Sequence, residues 1–145
     1  MSRIRQLMFL IPVLGSLTAT VSAQVTHDIV LEGDPAAGRF RFNPSRITAA
    51  TGDLLRFVVS GGQPHVIAFE GSRLSVPVRA ALDAALLDRM SDLRGALLLA
   101  SGSVYRMTVP QIPPGDYIFF CLPHLSYGMT GVLTVTEGKR GRSRP

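Results

Sequence analysis

Short segments rich in β-branched and aromatic residues recur along this 145-residue chain, separated by the turn formers Gly, Pro, Asn and Asp. The predicted strands cover residues 25–31, 39–42, 46–49, 54–59, 65–69, 105–109, 117–121 and 131–136. In the fourth of them, Leu55, Phe57 and Val59 alternate with the residues of the opposite face, as in a half-buried strand. The chain is therefore predicted to be all-β, an antiparallel β-sandwich.

One segment departs from this pattern. Residues 76–90 are rich in Ala and Leu, Ser75 is suited to cap a helix there, and Pro77 suits its first turn. The apolar residues at helical spacing are Val78, Leu82, Ala85 and Leu86. We expect one inserted amphipathic helix that crosses between the two sheets and packs on the sandwich. A helix that binds a partner is the alternative.

The two ends of the chain differ from its body. Arg3 and Arg5 precede an apolar run and the small residues around Ala23, so residues 1–23 are predicted to be a secretory signal peptide. Residues 24–137 would form one domain, and residues 138–145 a basic disordered tail. The mature chain is expected in the periplasm or outside the cell, without a transmembrane segment.

The formal charge of +5 gives a misleading picture of the domain. Of fifteen Lys and Arg residues, two lie in the predicted signal peptide and four in the last seven positions, which leaves nine against ten acidic residues. The body has no basic stripe interleaved with aromatic residues, so nucleic-acid binding is not expected. The tail is predicted to be solvated, with weak binding to acidic lipid or an acidic partner as the alternative.

The only cysteine of the chain lies in a nine-residue stretch with two other metal-binding side chains. Cys121, His124 and Met129 follow an apolar β-type run at spacings of three and five residues. A predicted secreted protein with one cysteine cannot close an internal disulfide, so the thiol is free, bonded to another chain or a metal ligand. A thiolate, an imidazole and a thioether on one loop are the ligands of a mononuclear blue-copper site.

A fourth ligand must come from elsewhere in the chain, and His65 is the candidate. A sandwich can bring the start of its strand to the end of the Cys121 strand. Taken singly, each residue has a plainer interpretation, since a buried Cys is usually a small apolar side chain and a Met usually a packing residue. The four together favour one copper ion per chain, while His27 is expected at the surface.

The sequence resembles the cupredoxins, and among them the plastocyanin-like group, from about residue 40 to residue 136. The matching motifs are Phe42-x-Pro44-x-x-Ile47, Gly52-Asp53, Pro64-His65-Val-Ile-Ala-Phe69, Pro114-Gly115-Asp116-Tyr117, Phe120-Cys121-x-Pro123-His124 and Gly128-Met129-x-Gly131. The resemblance implies a Greek-key sandwich with copper at one end and ligands His65, Cys121, His124 and Met129. Family members carry single electrons between larger redox proteins.

Two departures from the family pattern concern the site. Val66 stands where the family often has an asparagine that ties the two ligand loops together. Either the site is less stiff here, or another residue such as Ser60 supplies the tie. Phe120 stands where plant plastocyanins place a tyrosine, and the body lacks their acidic patches. A photosynthetic partner is therefore not supported.

The expected function is that of an exported, monomeric electron carrier that docks transiently with redox proteins near His124. An enzyme is not expected, because only His27 remains to build further copper sites. Copper delivery or storage without electron transfer is the alternative, and a metal-free adhesion module would leave the cysteine loop unexplained.

Overall fold

The computed structural model describes residues 23–137. The predicted tail, and the predicted signal peptide except Ala23, lie outside the described residues. In chain order the elements are β1 (Thr26–Asp34), β2 (Arg39–Asn43), β3 (Arg46–Ala50), β4 (Leu54–Val59), β5 (His65–Phe69), α1 (Val76–Ala85), β6 (Arg94–Leu98), β7 (Val104–Thr108), β8 (Gly115–Cys121) and β9 (Thr130–Thr136). Short 3₁₀ helices cover Pro35–Ala37 and Leu122–Tyr127.

The strands form two sheets that pack as a sandwich, which confirms the predicted fold class. One sheet has the order β2-β1-β4-β7 and the other the order β3-β9-β8-β5-β6. Both are mixed, because β1 pairs with β4 and β3 with β9 in parallel. The sequence predicted an antiparallel sandwich, and these two parallel pairings are the departures from that prediction.

The structure differs from the predicted elements around the helix. Strand β6 was not predicted, and its pairing with β5 shifts register between Val66 and Ala68. Helix α1 ends at Ala85 rather than near Met90. Asp88 in the following segment has a φ of 48°, which a continuing helix does not allow.

Helix α1 packs on the sandwich, as the sequence predicts. Leu82 is completely buried in the main apolar cluster, and Val78, Ala81 and Ala85 pack against that cluster. Pro77 lies in the first turn, while the Ser75 side chain makes no capping hydrogen bond. The helix thus contributes to the core.

Aromatic rings fill the space between the sheets. Phe119 of β8 meets Phe42 edge-on at a centroid distance of 4.8 Å and Phe57 at 5.9 Å. The buried Cys121 belongs to the same apolar cluster. The core therefore continues without interruption up to the end of β8.

Strand directions bring the candidate ligands to one pole of the sandwich. Strands β5 and β8 are antiparallel neighbours with Ile67 opposite Cys121, so the beginning of β5 lies beside the end of β8. No helix within residues 23–137 has the length and hydropathy required to cross a membrane.

Candidate metal centre

Three side chains with metal-binding atoms meet at this pole. The donor atoms of His65, Cys121 and His124 all lie within 4.8 Å of one another. Nδ1 of His65 and Nδ1 of His124 are each 3.4 Å from Sγ of Cys121. All three residues are buried. The fold thus closes the gap of 56 residues between His65 and Cys121.

A backbone contact fixes the orientation of the His65 ring. Nε2 lies 2.8 Å from the carbonyl oxygen of Gly61, which can only accept, so Nε2 carries the proton. In the neutral ring Nδ1 then has a free lone pair, and it faces the sulfur. Such a hydrogen bond from the second ring nitrogen is the usual means by which proteins orient a metal-binding histidine.

The Gly61 carbonyl owes its position to close packing of two backbone segments. A Cβ atom on Gly62 would overlap Gly33 of β1, and Gly62 has a φ of 69°, in the left-handed region that favours glycine. Gly33 and Gly62 therefore allow the loop after β4 to lie against β1, because neither has a Cβ atom.

The second imidazole is covered by an aromatic ring. Phe40 of β2 stacks on His124 with centroids 3.8 Å apart and planes inclined by 10°. Tyr127 lies 4.9 Å from Phe40 and 6.2 Å from His124, in tilted arrangements. Such a stack holds the ring plane while its edge remains near the surface, where His124 is 7% exposed against 0% for His65.

The loop that carries His124 is closed by main-chain hydrogen bonds. The Cys121 amide donates to the Met129 carbonyl at 3.0 Å, and the Met129 amide donates to the His124 carbonyl at 3.2 Å. Gly128 turns the chain between them with a φ of 76°. Met129 is completely buried at the end of this loop.

Burial sets the protonation of the three donors without metal. It lowers the pKa of His65 and of His124, and for His124 the neighbouring His65 adds to the effect. Burial also raises the pKa of the Cys121 thiol, against the opposing backbone hydrogen bonds from Val66 and His124. These shifts favour neutral imidazoles and a protonated thiol, so a metal ion that binds here must displace the thiol proton.

The two ligand loops are joined through the sulfur. The backbone amide of Val66, next to His65, hydrogen-bonds Cys121, and so does the amide of His124. Ser60 does not supply the tie proposed from the sequence, because its hydroxyl donates to the Leu31 carbonyl at 3.0 Å. The connection needs only a main-chain N–H, which is why valine is compatible with it.

Sequence reasoning missed two residues that support the site. Phe40 is one of several aromatic residues in predicted strands, and nothing local indicates which ring reaches His124. Gly61 acts through its carbonyl group, which every residue possesses. Only the Gly61-Gly62 pair signalled an unusual backbone there.

The donor set fits copper. A thiolate and two neutral imidazoles select soft or borderline metals, and the two imidazole nitrogens and the sulfur already converge on one point. Bound there, copper would supply a one-electron Cu(I)/Cu(II) couple. A buried, preformed set limits how far the ligands can rearrange between the two states.

The fold and this centre define a cupredoxin, and comparison with known proteins agrees. Residues 18–136 match the family of copper binding proteins named plastocyanin/azurin. Plastocyanin of Solanum tuberosum is 32% identical over 108 residues, covering 74% of this chain and 98% of the relative. Plastocyanin of Synechococcus sp. (strain JA-2-3B'a(2-13)) is 31% identical over 134 residues, covering 90% of each protein.

A solved structure also supports membership of this family. Oxidized plastocyanin from Dryopteris crassirhizoma has 32% sequence identity and a TM-score of 0.59, covering 76% of this chain and all of that one. The chain belongs to the plastocyanin/azurin family of copper binding proteins. It is plastocyanin-like, with one copper per chain and candidate ligands His65, Cys121 and His124.

Proposed function

We propose that this chain is an exported one-electron carrier that binds copper through His65, Cys121, His124 and Met129. The convergence of three buried donor atoms on one point carries the proposal. Met129 is proposed as the fourth ligand because it is fully buried and bonded through its main chain to both Cys121 and His124. Its soft thioether suits the weak axial position of a blue-copper site.

Redox partners would approach through the surface around the His124 edge. Pro64, Pro123, Leu125 and Tyr127 are exposed there, with Leu125 at 47% and Tyr127 at 57%. We call these four residues the collar. A small apolar surface favours brief docking over a lasting complex, and the carrier itself is proposed to be monomeric.

Electron transfer without catalysis is the activity that the donor inventory favours. The chain has three histidines, and the one that remains is His27. Its Nε2 lies 3.0 Å from Oδ2 of Asp53, and it does not join the cluster. Within residues 23–137, the cluster of His65, Cys121 and His124 is the one group of such side chains able to hold a metal.

Export is proposed from the first 23 residues. Mass spectrometry of the mature protein should give a chain that begins at Gln24. A protein purified with Met1 retained would contradict this part of the proposal and leave the metal centre unaffected.

The visible spectrum tests the copper centre. Thiolate-to-Cu(II) charge transfer should give the oxidised protein an intense band at about 600 nm, and Cys121→Ser should abolish it. Copper uptake without colour would contradict the proposal and favour delivery or storage. Failure to bind copper would reject both.

The reduction potential tests Met129. An amide oxygen is a harder donor that favours Cu(II), so Met129→Gln should keep the blue band and lower the potential. Met90→Gln is the matched control, because it makes the same chemical change at a residue that is 56% exposed and lies away from the centre. Equal potentials in wild type and Met129→Gln would remove Met129 from the ligand set.

A further inference from the structure

Both ends of the described range lie at the end of the sandwich opposite the metal centre. Thr130, the first residue of β9, lies opposite Phe120, whereas Val135 lies opposite Gly115 at the start of β8. Strand β9 therefore runs away from the metal centre. The start of β1, the end of β9 and the turn before β4 together line one cleft of about 600 Å³. We call residues 23–25, 50–53 and 136–137 the distal pole.

The basic tail follows this pole in the sequence. Residues 138–145 come directly after Glu137 and contain four of the basic residues of the chain. Residues 24–137 carry nine basic and ten acidic residues, so the positive charge of the mature chain is concentrated beyond Glu137. A charge distribution of this kind attracts a negatively charged surface to one end of the molecule.

Asp53 and Asp116, two acidic residues at this end of the sandwich, already have partners. Asp53 is buried, and its oxygen atoms contact two backbone amides and the His27 ring. Oδ2 of Asp116 lies 3.6 Å from Nη1 of Arg46. Glu137 offsets one of the four basic charges that follow it, so residues 137–145 keep a net charge of +3. This charge is available to an acidic surface outside the molecule.

The predicted signal peptide would bring a membrane to the same pole, a step that rests on the proposed export. Its apolar run, residues 7–17, would lie in the membrane until cleavage. Five residues separate this run from Ala23 of the distal pole, and they span at most about 20 Å. The distal pole is therefore held beside the lipid headgroups during export. This favours a lipid surface over an acidic protein as the partner of the tail.

We propose that the distal pole docks reversibly on membranes that contain acidic phospholipids, with the tail among the headgroups and the metal centre facing away. Four basic residues without an acyl chain give a weak attachment that salt can release. The metal centre lies beyond the far end of β4, about 20 Å away, whereas the screening length at physiological salt is about 8 Å. The collar therefore stays open to redox partners while the protein is at the membrane.

Cosedimentation with vesicles tests the lipid. The mature protein, with Gln24 confirmed as its first residue by mass, should bind vesicles of phosphatidylcholine with about 30% phosphatidylglycerol and not vesicles of phosphatidylcholine alone. Raising the salt from about 0.05 M to about 0.5 M should release it. Equal binding to both vesicles, or binding to neither, would overturn the proposal. Because the first residue is known, such a result would leave the proposed export intact.

A pair of double variants tests where the charge must lie. Arg140→Gln with Arg142→Gln should weaken vesicle binding about 25-fold, from about fivefold for each charge. Arg39→Gln with Arg41→Gln removes the same charge from exposed residues of β2 and should leave binding within about twofold. Equal losses in the two double variants would show that only net charge matters and would reject the distal pole. Unchanged amide dispersion serves as the check that each variant is folded.

The orientation at the membrane is tested by NMR of the reduced protein on nanodiscs of the same lipids. A gadolinium-chelating lipid should broaden the amide resonances of Val25, Gly52 and Thr136 and leave those of Leu125 and Tyr127 sharp. Broadening that is strongest at the collar would overturn the proposal.

A soluble polyglutamate peptide distinguishes a membrane from an acidic protein. At equal negative charge it should bind the mature protein more weakly than the vesicles do, because a membrane presents many headgroups on one surface. Binding as strong as that to the vesicles would identify an acidic protein as the partner and would overturn the proposal.

Discussion

The two ends of β4 each hold a buried polar cluster, and the clusters differ in how the chain completes them. Before β4, the Asp53 carboxylate accepts from the amides of Val25 and Ala50 and contacts Nε2 of His27 at 3.0 Å. After β4, the Gly61 carbonyl accepts a single N–H from His65, and the remaining donor atoms of the cluster face one another. In the Asp53 cluster the acceptor atoms find hydrogen-bond donors within the chain, as in a structural cluster. In the His65 cluster the lone pairs converge on one another, an arrangement that suits a bound metal ion.

Removal of Asp53 should have the largest effect on stability. Asp53→Ala leaves two backbone amides and His27 without their acceptor, so the free energy of unfolding should fall by about 2–4 kcal/mol in urea denaturation. The visible band of the folded fraction should be unchanged, because the copper pole lies at the other end of β4. Asp28→Ala is the matched control, since its exposed ion pair with Arg56 should contribute little to the free energy of unfolding. A similar loss in both variants would contradict the comparison.

The pH dependence of stability should come from the Asp53 cluster, before β4. Burial raises the pKa of Asp53, but the hydrogen bonds from His27, Ala50 and Val25 outweigh it and lower the pKa. The carboxylate therefore stabilises the fold above the pKa of an unfolded aspartate, about 3.9, and this contribution is lost as the pH falls through the lower folded value. In copper-free protein, the difference in free energy of unfolding between wild type and Asp53→Asn should therefore narrow as the pH falls below about 3.9.

Denaturation curves of both proteins between pH 6 and pH 2.5, roughly the range in which carboxylates titrate, provide the measurement. A gap that stays constant over this range would show that the carboxylate charge adds nothing to the fold.

The smallest expected effect on stability concerns Phe40, beside His124 of the candidate metal centre. Phe40→Leu removes the ring stacked on His124 and should reduce the free energy of unfolding by about 1 kcal/mol. Faster motion of the His124 ring in NMR relaxation would accompany it. Phe40→Tyr keeps the stack and serves as the control. If Leu and Tyr variants are equally stable and equally ordered at His124, the stack does not hold the imidazole.

The sequence was most informative where the pattern was local. Alternation along β4 and the ligand spacing after Cys121 are set within a few residues. The structure has the strand and brings Cys121 and His124 together, while the role of these residues and Met129 as ligands stays a prediction. Strand β6 was missed because Gly95 to Leu98 has no period of two, and its irregular pairing with β5 explains why. Parallel pairing of β1 with β4 joins segments far apart in the chain, which alternation cannot reveal.

His27 also shows that local sequence patterns do not reveal contacts between distant segments. It was expected at the surface, yet its side chain is 24% exposed and contacts Asp53. The partner lies 26 residues away and is a turn residue in the sequence pattern. A side chain whose partner comes from another segment has no local signature, whereas a metal loop carries most of its donors together.

The position of Phe119 links two properties that are usually adjusted separately. Its ring touches Phe42 and Phe57 in the centre of the sandwich, and the sulfur-bearing residue follows two positions later on the same strand. Because Cys121 belongs to the same apolar cluster, we expect substitutions that repack the interior to shift the visible band of the proposed copper centre, which would make that band an optical record of internal packing.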